Sequence, residues 1–109
     1  MKFYINNEVV YECDSDIALE QQQLDFLDQM DRDMDKGIKI HGELIKSPDL
    51  EQRTTFVVMN FIKALQQDND AVISASCAYL VNRDPALQEI HANDDANKIN
   101  IELKKTDSL

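Results

Sequence analysis

Glycine is scarce in this chain. Its two glycines, Gly37 and Gly42, stand alone, so no glycine-rich loop is present to cradle a phosphate. A G-x-S-x-G nucleophile elbow is missing too: Ser74 and Ser76 fall in an apolar segment, and Cys77 has no base positioned near it in sequence. No catalytic residue is assigned. The two cysteines, Cys13 and Cys77, lie far apart and form no CxxC pair, which argues against a zinc site built on thiolates. The setting SASCAYL marks Cys77 as a small core residue. No run approaches the ~20 apolar residues of a membrane span, and MKFYINNEVV lacks the apolar stretch of a signal peptide. These absences lead us to expect a cytoplasmic protein with free thiols and no membrane partner.

Positive charge is also in short supply. The chain carries 21 acidic against 11 basic residues, a net charge of -10, and its basic residues are dispersed apart from Lys104-Lys105. A phosphate backbone is held by clustered Lys and Arg, so no nucleic-acid partner is expected. A basic protein is the more natural partner, beside the plainer reading in which the acidic surface only maintains solubility.

What is present fits one globular domain over 1–109, with 43% hydrophobic and 29% charged residues. KFYINNEVVYE reads as a β-hairpin turning at Asn6-Asn7. From Ile17, with Asp16 as cap, helical spacing takes over: Leu24, Leu27, Met30, Met34, Ile38, His41 and Ile45 recur at steps of three or four. This helix is expected to reach Lys46. Ser47-Pro48 then caps and starts a second helix ending near Gln67, with Phe56, Met59, Phe61, Ile62 and Leu65 toward the core. Asp70 would cap a third helix, AVISASCAYLV, which is apolar on nearly every side and is expected to be the most buried. Asp84-Pro85 ends it. LQEIHA and KINIELK form a second hairpin around NDDAN, and the tail 105–109 is expected to be disordered. The fold class is α+β: a three-helix core with a small antiparallel sheet from the N- and C-terminal β-hairpins.

The run DRDMDKGI, from Asp31 to Ile38, asks to be weighed as a calcium loop. Taking Asp31 as the first position, Asp33 and Asp35 fill the third and fifth and Ile38 the eighth. Lys36 holds the sixth position, where the loop needs glycine, and Gly42 the twelfth, where it needs a bidentate glutamate. A helix needs no such repair, since the apolar stripe runs through the segment in phase. Asp28 with Arg32 and Asp35 with Lys39 would add favourable i,i+4 pairs. A weaker cofactor reading survives on the helix, where Asp28, Asp31 and Asp35 share one face and could hold Mg²⁺ or Mn²⁺ with help from Asp68 or Asp70. The alternative is a protein, or a metal-dependent hydrolase, that binds Ca²⁺ or Mg²⁺ through Asp28, Asp31, Asp33 and Asp35. The paired Glu-x-x-Glu and Glu-x-x-Asp signatures of helical nucleotide hydrolases are missing.

MDRDMDKG, followed by Ser-Pro, a second helix and a closing strand pair, resembles small uncharacterised bacterial proteins. The likeness runs from about Phe26 onward and implies no activity, ligand or catalytic residue.

His41 lies on the apolar stripe and His91 in an expected strand, and neither has a second His or Cys at ligand spacing. A continuous first helix of about 30 residues would be about 45 Å long, more than the other helices can cover. Its stripe, with Met30, Met34, Ile38, His41 and Ile45, would then be the interface of a homodimer. A break at Gly37 would instead allow a compact monomer. The expected function is thus a non-enzymatic, homo-oligomeric interaction or regulatory module, with a divalent-metal protein as the alternative.

Overall fold

The computed structural model describes residues 1–14, 18–40, 42–95 and 98–105. Among the described residues it is α+β, with three helices and two sheets. Strands β1 (Lys2–Ile5) and β2 (Glu8–Glu12) form the expected hairpin. Asn6 and Asn7 both take positive φ, 51° and 70°, the backbone that a two-residue turn matched to strand twist requires and that Asn tolerates. In β2, Tyr11 pairs with Phe3 and Val9 with Tyr4, so Val10 is the extra residue of a bulge.

Helix α1 spans Gln21–Asp35. The Glu20 N–H at its start donates to Gln23 Oε1 at 2.9 Å, satisfying one of the donors that a helix start leaves open. The cap expected at Asp16 lies outside the described residues.

The helix does not continue to Lys46. Gly37 sits at φ 133°, where a Cβ would come 3.1 Å from Leu44 Cδ1, so the chain turns there. Strands β3 (Ile38–Ile40) and β4 (Glu43–Ile45) follow as a hairpin pairing Ile38 with Ile45. IKIHGELI satisfies a helical spacing through Ile38 and Ile45 but equally a period of two through Ile38 and Ile40. The flanking glycines, with Gly42 at φ 81°, decide for the hairpin.

Helix α2 runs Leu50–Gln66. Its cap is Asp49, which accepts from Gln52 N at 2.8 Å while the Asp49 N–H donates to Gln52 Oε1 at 2.9 Å. This reciprocal box outcompetes the cap expected at Ser47, which sits at φ 50° instead. Helix α3 is Asp70–Arg83, capped by Asn69 rather than Asp70: Asn69 Oδ1 accepts from Val72 N at 3.3 Å. Contrary to expectation α2 is the more buried helix, through Thr54, Val57, Val58, Phe61, Ile62 and Ala64, whereas α3 buries Ile73, Ser76, Tyr79 and Leu80.

Strands β5 (Leu87–Asp95) and β6 (Lys98–Lys105) make the second hairpin, and the sheet order is β2-β1-β5-β6. The two hairpins do join, but β1 meets β5 in parallel, so the sheet is mixed. Three helices between the partners supply the long crossover that a parallel pair needs. Phe3 and Ile90 point into the core, where the Phe3 ring lies 4.8 Å from Phe61. Lys105 belongs to β6 rather than to a loose tail, and its Nζ pairs at 3.0 Å with the buried Asp84, which also accepts from the Thr54 hydroxyl at 3.2 Å. Residues 106–109 lie outside the described residues.

The thiols expected to be free are joined. Cys13, at the end of β2, and Cys77, in α3, form a disulfide with Cα atoms 5.7 Å apart. Their separation of 64 residues hid a neighbourhood that only the fold creates. Among the described residues no helix is long and apolar enough to cross a membrane.

Candidate functional site

Spacings of three and four put Asp28, Asp31 and Asp35 on one face of α1, and that face meets arginines. Asp31 Oδ1 accepts from Arg53 Nη1 of α2 at 3.0 Å and from the Tyr79 hydroxyl of α3. Asp31 Oδ2 lies 3.3 Å from Arg83 Nε. Arg53 also pairs with Asp35 and donates from Nε to the Pro48 carbonyl at 2.9 Å, while Arg83 also pairs with Asp28. One carboxylate, Asp31, thus ties all three helices together.

Two guanidiniums answer three carboxylates, and their charges stand where a divalent ion would have to sit. Asp33 is turned elsewhere: it accepts from Gln29 Nε2 at 2.9 Å and faces Lys36 at 3.8 Å. Asp70 opens α3 while Arg83 ends it, which puts Asp70 about 20 Å from the cluster at 1.5 Å per residue. Among the described residues no group of three or more His, Cys, Asp or Glu is placed to hold a metal ion. The expected helix-surface pairs do not form either, since Arg32 bonds Gln29 at 2.8 Å and Lys39 lies on β3.

Burial works to lower the Arg53 guanidinium, but the Asp31 hydrogen bond and the charges of Asp35 and Asp31 win and hold it above its ordinary value. Burial, and then the bond to Asp31, push the Tyr79 phenol above its ordinary 10.0. A raised phenol contributes stability that is complete below the unfolded value and is lost as pH rises through the folded one. Wild-type stability is therefore expected to fall above pH 10 with an added slope of up to about 1.4 kcal/mol per pH unit that Tyr79→Phe removes. Urea midpoints of both proteins between neutral and strongly alkaline pH measure this, and parallel curves would refute it.

The residues expected to form an interface are largely spent inside the chain. Met34 and Ile38 are buried, and Met30 and Ile45 are half-buried against the core. His41 lies outside the described residues. His91 stacks on Tyr4 at 4.3 Å and meets Glu89 Oε1 at 2.8 Å, and this contact holds the Glu89 carboxyl below its usual 4.5.

Met30 alone of that stripe also lines an open groove of about 440 Å³, between Phe26 of α1, Val57 and Ala64 of α2, and Ala71, Val72 and Ala75 of α3. On the other side of Phe26 a second groove of about 360 Å³ runs over Ala75 and Ala78. The alanines at steps of three and four leave α3 too slim to fill the space under α1. Phe26 stands between the grooves with 55% of its surface exposed. Sequence reading passed over Phe26 because it borders the stripe of Leu24, Leu27 and Met30; its place four residues before Met30, on the same flank of the helix, was the available signal.

Compared with protein-family models, with curated proteins and with solved structures, the chain finds no match.

Proposed function

We propose that this chain is a non-enzymatic interaction module that pairs with a second copy of itself through Phe26 and the grooves beside it. The observation that carries this reading is the exposed ring standing next to apolar hollows. A twofold axis seats each ring in the other copy's groove, so one surface feature is used twice. Phe26 is 55% exposed, so withdrawing the rest of each ring from water contributes about 1 kcal/mol. The long exposed stripe that first motivated a dimer is gone, since the chain breaks at Gly37, and Met30 is the residue shared by the two surfaces.

The net charge of -10 repels a second copy, so pairing strengthens with added salt. The Cys13–Cys77 disulfide favours an oxidising compartment over the cytoplasm expected from sequence.

Light scattering across a concentration series tests the pairing. Wild type is expected to approach twice the chain mass at high concentration, and Phe26→Lys, a change at an exposed site, to remain at the single mass, with the thermal midpoint of wild type at low concentration, where both are monomers. A wild type that stays monomeric at high protein and salt, or a dimer indifferent to Phe26→Lys, overturns the reading.

A further inference from the structure

The largest cleft described, about 880 Å³, lies between α2 and strands β3 and β6. Phe56 and Met59 of α2 wall one side and Ile99 and Ile101 of β6 the other, and the exposed Lys39 and Lys63 also line it. Its volume falls within the range of small-molecule sites, which are mostly apolar with a few polar groups fixing orientation. Ile99 leaves 37% of its surface in water, apolar area that an occupant would cover.

The charges are what select the occupant. In a chain of net charge -10, neither Lys39 nor Lys63 pairs with a carboxylate among the described residues. The Debye length is about 8 Å at physiological salt, so a ligand head in the cleft responds to the nearby lysines more than to distant carboxylates. Apolar walls with cationic groups match an amphiphile whose head is an anion.

We propose that this cleft binds a free alkyl carboxylate, its head at Lys39 and Lys63 and its chain along Phe56, Met59, Ile99 and Ile101. Affinity rises roughly tenfold for every two methylenes that the cleft can bury. The cleft borders the groove beside Phe26 and shares Asn60 and Lys63 with it, but its readout is ligand binding, with shifts on Met59, Ile99 and Ile101 rather than on Phe26.

Amide NMR of the full chain titrated with decanoate, kept below micelle formation, gives the test, with decyltrimethylammonium and decanol as matched probes. The expected result is saturable 1:1 binding of decanoate with shifts centred on Met59, Ile99 and Ile101, and at least tenfold weaker binding of the ammonium. Lys39→Gln with Lys63→Gln should weaken decanoate at least tenfold and leave decanol unchanged. Both lysines are exposed, so the double variant is expected to fold. No saturable binding, equal affinity for the two charged probes, or shifts centred on Phe26 would each overturn the proposal.

Discussion

Reduction of the Cys13–Cys77 disulfide is expected to lower the free energy of unfolding by about 4 kcal/mol, the figure that chain entropy assigns to a closed loop of this length. The bond spans 64 residues, so cutting it releases a large share of the chain in the unfolded state. Domains of this size are stable by only about 5–15 kcal/mol, so the loss takes much of the margin. Native contacts oppose it only in part. Cys13 is 3% exposed and sits where the Met1 and Cys13 main chains bond each other, Cys13 N to Met1 O at 2.8 Å. The reduced protein should therefore keep its fold in water and unfold at markedly lower urea. Urea curves with and without a dithiol reductant, and of Cys13→Ala with Cys77→Ala, measure it. A reduced midpoint within error of the oxidised one would mean that the bond adds nothing to stability.

Asp31→Ala is expected to cost about 3 kcal/mol, because it strips two half-buried guanidiniums and a buried phenol of their shared acceptor at once. Asp31 is 24% exposed, so solvent softens the penalty from the upper end seen for fully buried pairs. Asp33→Ala, two residues along the same run but turned outward with 61% of its side chain exposed, should stay within about 0.5 kcal/mol of wild type. The contrast matters more than either value. Both variants remove one aspartate from the same acidic run, so a general relief of like-charge repulsion would move them together. Equal stabilities in denaturant would show that the three-helix junction does not depend on Asp31.

These two sites divide what a reader of the sequence can see from what only folding creates. The Asn6-Asn7 turn, the end of α3 at Asp84-Pro85 and the strand alternation of Ile99, Ile101 and Leu103 are local, each set by the conformations open to a few neighbouring residues. They were legible. IKIHGELI was misread because its apolar residues fit two periods, and the deciding fact is the backbone of Gly37. Asp28, Asp31 and Asp35 were rightly placed on one face, but their partners, Arg53 and Arg83, lie 22 residues or more along the chain from Asp31. Cys13 and Cys77 failed for the same reason, since nothing local to either marks the other. Tertiary pairing decided each of those cases.

The parallel register of β1 on β5 also sets an order of events. Lys2 pairs with Glu89, so β1 has only its hairpin neighbour β2 until β5 has been made. Helices α1 to α3 can form and dock in the meantime from contacts closer in sequence. Closing the sheet is then a late step with a large loop to close, the kind that slows folding. Until it closes, β1 presents a bare edge through much of synthesis. A growing chain is therefore most open to mispairing at β1.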